Sequence, residues 1–174
     1  MTNRNPDDRQ RTRTYSWSAP MTSWKGYEDK TGIELLRMIM RGEIPVPSMA
    51  ETLDFRLILV EEGRAIFEGH PAEYLYNPLG SVHAGYAATM LDSTMGCAVL
   101  SLLPAGRVFT TLEFKINMVR PVLANTGPVL AEGKSVHSGS RVATAESKLY
   151  GRDDKKLYAH ATATCMVVPM VPER

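Results

Sequence analysis

The chain has 174 residues, a net charge of +1, 44% hydrophobic residues and two cysteines. That length suits one domain with a real core, and the near-zero charge gives no electrostatic reason to expect nucleic acid or an acidic membrane as partner. Cys97 and Cys165 both lie in apolar segments and read as small buried hydrophobes. With four histidines, scattered, and no Cys/His cluster, no structural metal is expected.

Residues 1–20 are polar and carry Arg4, Arg9, Arg11 and Arg13 without an apolar core, so they do not form a secretory signal. Asp7 and Asp8 argue against a transit peptide. A disordered tail on a soluble, cytoplasmic protein is the expectation. Residues 21–50 read as an N-terminal helical extension. Thr31-Gly-Ile-Glu34 is a capping box that opens a short helix, and Ile33, Leu35, Leu36, Ile39 and Met40 give it an apolar side. Pro45 and Pro47 then force an extended segment. This piece is expected to pack across the main body, residues 51–170, with lining a pocket mouth as its other possible role.

Asp54–Glu61 and Arg64–His70 flank Glu62-Gly63 and predict a hairpin. Asn77-Pro78-Leu79-Gly80 is turn chemistry. From Val82 to Leu103 no Pro intervenes, and Pro104 with Gly106 ends the run, which predicts one long helix. That helix is apolar nearly all round, as a buried helix is. Asp92 is the only formal charge inside it, which disfavours a membrane span. Beyond the helix, residues 108–118 alternate with period two and predict a strand. Val108, Thr110, Leu112, Phe114, Ile116 and Met118 fall on one face of it. Pro128–His137, Arg141–Gly151 and Lys155–Val168 predict three more strands, and short turns make neighbours antiparallel. The order predicts an α+β fold: an antiparallel sheet, its last four strands in a meander, wrapped around one long central helix.

An isolated carboxylate inside an apolar helix is costly unless it is paired or useful, so function is expected around Asp92. Here the residues resemble a known family, the hotdog-fold acyl-CoA thioesterases of the PaaI type. Asn77, His83-Ala84-Gly85 and Asp92 stand at that family's spacings of six and nine residues. Val119-Arg120-Pro121 and the closing strand Ala159–Thr164 resemble its later segments, over roughly residues 50–168. One position departs: Ala84 stands where the family has glycine, so a methyl crowds the approach while the backbone N–H is retained.

The resemblance implies hydrolysis of an acyl-CoA thioester without metal or redox cofactor, with coenzyme A present only as part of the substrate. Asp92 is the implied nucleophile or general base. The backbone N–H groups of Ala84 and Gly85, in the first helical turn, would form an oxyanion hole. Asn77 either adds its amide or only shapes the turn, and His83 is expected to orient the helix start. A hydroxyl near the acid is implied on the next strand: alternation favours Thr110, and counting back from Pro121 favours Thr111. Arg120, Lys134 and Arg141, with the Ser138-Gly139-Ser140 turn, are candidates for the coenzyme A phosphates. Ala84 and Asp92 are eight residues apart, about 12 Å along a helix, too far for both to reach one carbonyl carbon. A site using both needs two copies of the chain, in line with the homodimers, and tetramers built as dimers of dimers, that the resemblance implies. Gly85, Ala88 and Gly96 would permit close helix approach. Two other readings remain: a hotdog module that binds acyl-CoA or acyl carrier protein without turnover, and a hydratase or dehydratase pairing an acid with His83.

Overall fold

The computed structural model describes residues 10–20 and 24–170. The elements in chain order are α1 (Gly32–Met40), α2 (Ser48–Leu53), β1 (Phe55–Glu61), β2 (Arg64–Gly69), α3 (Ala84–Leu100), β3 (Arg107–Met118), β4 (Val129–Ser138), β5 (Val142–Gly151) and β6 (Leu157–Pro169). All six strands form one antiparallel sheet in the order β1-β2-β4-β5-β6-β3. Helix α3 contacts every strand, and Met90, Leu91, Met95 and Val99 along it are fully buried. The expected α+β architecture is present.

The expected four-strand meander is not. Strands β4, β5 and β6 do form one, but β3 pairs with β6 at the far edge, and β4 pairs with β2. Residues 119–128 make this possible. Pro121 and Pro128 exclude a tight hairpin, and the segment crosses the start of α3, where the Val82 N–H donates to the Val122 carbonyl at 2.9 Å. That crossing places Arg120 near the first turn of the helix.

Strand β3 departs from simple alternation as well. A bulge between Thr111 and Glu113 shifts its register against β6. Phe109 and Thr111 pair with the buried Val167 and Cys165, and beyond the bulge Phe114 and Ile116 pair with the buried Ala163 and Ala161. Cross-strand partners share a face. The helix-facing set is therefore Phe109, Thr111, Phe114, Ile116 and Met118, of which Phe114 and Met118 stay exposed at the sheet edge, and the expected set changes phase at Leu112. Thr110 is exposed.

Helix α1 begins at Thr31, as its capping box predicts, with Glu34 accepting from both the Thr31 N–H and hydroxyl at 2.7 Å. Gly32 donates to the Leu103 carbonyl at 3.0 Å. A Cβ on Gly32 would lie 1.8 Å from the Leu100 carbonyl oxygen, so only glycine lets α1 dock on the end of α3. The extension holds a second helix that its composition did not signal: α2 starts directly after Pro47 and runs across residue 50. Residues 10–20 have no helix or strand. Within them Arg13 donates to the Thr52 carbonyl at 2.6 Å, at the end of α2, and lies over the Tyr74 ring at 4.1 Å. Residues 1–9, part of the expected tail, fall outside the described residues.

Candidate active site

Two parts of α3 carry the candidate chemistry, and different surroundings define each. The first is the helix start. Asn77 folds the approach: its Oδ1 accepts from the Leu79 N–H at 2.8 Å, its amide donates to Ser81 Oγ at 3.0 Å, and its own N–H donates to the Ser81 carbonyl at 2.7 Å. This turn delivers His83 to the N-cap, where Nδ1 accepts from the Gly85 N–H at 2.9 Å. The cap satisfies one orphan donor of the helix start. It also removes Gly85 from the expected pair of oxyanion donors. Ala84, the first helical residue, keeps an N–H with no partner inside the helix, and its side chain is exposed. Asn77, Ala84 and Arg120 line one open cavity of about 340 Å³ together with Ser81 and Val122.

The second part surrounds Asp92. Residues Gly85, Ala88, Thr89, Asp92 and Ser93 occupy the one side of α3 that the sheet leaves partly open. Thr111 Oγ1 donates to Asp92 Oδ1 at 3.0 Å, so the hydroxyl beside the acid is Thr111 and not Thr110. The bulge is what turns Thr111 inward. The Thr89 hydroxyl, on the same side of α3, donates instead to the Gly85 carbonyl at 2.9 Å. Gly96 does not leave room for a neighbouring helix. A Cβ there would lie 2.3 Å from the ring of Phe109 in the same chain.

Asp92, Ser93, Cys97 and Phe109 form one wall of a mostly apolar cavity of about 420 Å³, and Leu36, Ile39, Met40 and Val46 of the N-terminal extension close the other. The extension thus does both things open to it: it packs on the body through the buried Leu35 and Leu36, and it lines this cavity. Burial, and then the charge of Asp92, pushes the Cys97 thiol up to about 12. It stays protonated at ordinary pH and is no nucleophile. Sequence reasoning reached the apolar side of α1 but not Val46 or Met49 on the cavity wall, because a fold brings these together across about 50 positions of chain.

The phosphate candidates are divided between the two ends of α3. Arg120 lies by the helix start and donates to the Leu157 carbonyl at 2.7 Å. Ser138 and Gly139 lie at the other end, in a groove with Leu102 and Pro104. The Gly139 N–H is taken by the Val142 carbonyl at 3.0 Å and so is not free for an anion. Lys134 is 3.7 Å from Glu132, a carboxylate shared with Arg64. Arg141 is exposed in the turn before β5. Among the described residues no group of three or more His, Cys, Asp or Glu could hold a metal ion, and no helix is long and apolar enough to cross a membrane.

A long helix wrapped by a six-stranded antiparallel sheet is the hotdog architecture. Comparison with known proteins agrees. Residues 79–158 match the family model described as the thioesterase superfamily. A relative from Saccharolobus solfataricus, named as an esterase, is 34% identical over 103 residues, covering 59% of this chain and 71% of that one. A phenylacetic acid degradation-related protein of Ralstonia eutropha superposes with a TM-score of 0.68 at 31% identity, over 75% of this chain and 98% of that one. A Streptococcus mutans protein solved bound to acetyl CoA superposes with a TM-score of 0.60 at 26% identity, over 67% and 90% of the two chains. The 1,4-dihydroxy-2-naphthoyl-CoA hydrolase of Listeria monocytogenes is 22% identical over 63% of this chain and 87% of its own. The chain belongs to the thioesterase superfamily, and its class of activity is thioester hydrolysis.

Proposed function

We propose that the protein hydrolyses acyl-CoA thioesters, with Asp92 acting on the thioester carbon and the Ala84 N–H of a second copy stabilising the oxyanion. The observation that carries this reading is the Thr111–Asp92 hydrogen bond on the wall of an apolar cavity. Thr111 fixes Oδ1 and leaves Oδ2 to act, either as nucleophile or as base toward water. In both routes water supplies OH to the acyl carbon, the C–S bond breaks, and the coenzyme A thiolate leaves and takes up a proton. His83 holds the first turn in place, and Asn77 holds the turn before it. The acetyl CoA-bound and CoA-hydrolase relatives support coenzyme A as the carrier. Arg120, beside Ala84 and Asn77, is the cation best placed for its phosphates.

The separation of about 12 Å between residues 84 and 92 along α3 supports a site completed by two chains. Strand β3 supplies a candidate interface. It is an edge strand of 12 residues whose Leu112, Phe114 and Met118 are exposed, a combination that invites pairing with another edge. Two copies joined along β3 would extend the sheet, and two such dimers could associate into a tetramer.

The test is thiol release from acyl-CoAs of different length by the wild type and by Asp92→Asn. Release that collapses in the variant with the fold intact supports the reading. Saturable binding without release would favour the second reading, a binding module, for which the methyl of Ala84 at the helix start is the motivating observation.

A further inference from the structure

The cavity beside Asp92 has a size, a polarity and an origin that bear on which acyl group the protein takes. It encloses about 420 Å³, within the range of small-molecule pockets. A methylene needs roughly the volume of a water molecule in the liquid, about 30 Å³, so a chain of about ten carbons fits with room to bend. Among the described residues two formal charges touch the cavity, Asp92 and Arg56. Arg56 is already paired with Glu68 at 3.0 Å, so no described cation of the wall is left unpaired for a negatively charged acyl terminus, and Asp92 would repel one.

The N-terminal extension supplies about half of the lining residues besides Asp92. Helices α1 and α2 and the Val46-Pro47 segment between them share the wall with Phe55, Leu57 and Phe67 of β1 and β2. Met40 and Met49, both on this wall, are exposed by 42% and 55%. They stand where the cavity meets solvent, and methionine adapts to varied shapes.

We propose that the N-terminal segment helps to build the acyl pocket of this chain, and that the pocket selects uncharged, medium-length acyl groups of about eight to ten carbons. Val46 and Ile39 are its specificity-determining residues. The thioester lies at Asp92, the acyl group runs from there toward α1, and coenzyme A leaves in the other direction. This inference rests on the reading of Asp92 as the acting carboxylate.

The experiment measures kcat/KM for acyl-CoAs from acetyl to palmitoyl, with succinyl-CoA as the charged comparison. It is run on the full chain and on Val46→Phe and Ile39→Ala, and binding of the same series to Asp92→Asn is followed by calorimetry. Each added methylene is expected to raise kcat/KM by up to about fourfold between butyryl and octanoyl, with no further gain beyond decanoyl and succinyl among the poorest substrates. Val46→Phe, which fills the cavity, lowers the octanoyl-to-acetyl ratio at least tenfold; Ile39→Ala, which enlarges it, moves the optimum to longer chains. Equal rates at all lengths, or variants that scale every substrate by one factor, overturn the inference while leaving Asp92-dependent hydrolysis intact. If no thiol is released, the hydrolytic reading fails, and the Asp92→Asn binding series still decides the pocket. Affinity that climbs with chain length supports it, and flat affinity overturns it.

Discussion

The start of α3 and its middle differ in how they are built. The start is polar, open and local: Asn77, Ser81, His83 and Gly85 satisfy one another within nine residues of chain. The middle is apolar, enclosed and assembled from afar. Asp92 meets Thr111 from β3, and a wall from α1 and α2 closes over them. The local half fixes where a backbone N–H points; the assembled half decides what lies against the carboxylate. A donor needs only a rigid turn, but a selective pocket needs walls from several elements.

The largest expected effect breaks the assembled half. Asp92→Asn keeps the side-chain shape and removes the charge proposed to act, and kcat should fall by at least about 10³-fold. Next is the local half. Proline is tolerated at the first helical position and removes only an N–H, and His83 before it already has a proline-compatible backbone (φ −60°, ψ 138°). Ala84→Pro should therefore leave the melting temperature nearly unchanged while lowering kcat about 10²-fold.

Smaller changes sharpen the comparison. Thr111→Val removes the hydrogen bond to Asp92 and should cost about tenfold in kcat/KM, with Thr110→Val close to wild type in the same assay. His83→Ala removes the N-cap, worth about 1 kcal/mol, and should lower the melting temperature by about 2–4 °C. The smallest effect concerns Cys97. With its thiol pushed up to about 12, it is protonated below that pH, and only about one molecule in 10⁴ carries the reactive thiolate at pH 8. Labelling by a thiol reagent at pH 8 should be slow, and should accelerate as pH rises toward the thiol's own value.

How much of this was legible in the sequence follows the same division. The helix and the turn before it are local, and the residues indicated them, while the spacing of Asn77, His83 and Asp92 gained meaning through the family resemblance. The placement of β3 was not legible, because strand order depends on which edges the sheet leaves free and not on chain neighbours. Thr111 was the less favoured of two candidates because one inserted residue at the bulge reverses a period-two pattern. The His83 cap on Gly85 was missed for a different reason: N-cap residues are usually Ser, Thr, Asp or Asn, so the histidine did not announce itself as one. The pocket wall could be read only as an apolar side of α1, since what an apolar helix covers is set by tertiary packing.

The central claim is that the two halves of one site come from two copies of the chain, and mixing two inactive variants tests it most directly. Asp92→Asn retains the Ala84 donor, and Ala84→Pro retains the acid. If sites form across a two-fold interface, a mixed dimer contains one intact site and one doubly impaired site. Random mixing makes half of all dimers mixed, so co-refolded protein should recover about a quarter of wild-type activity. Mixed protein no more active than the average of its two parents, with subunit exchange verified, would contradict the account and place both groups within a single chain.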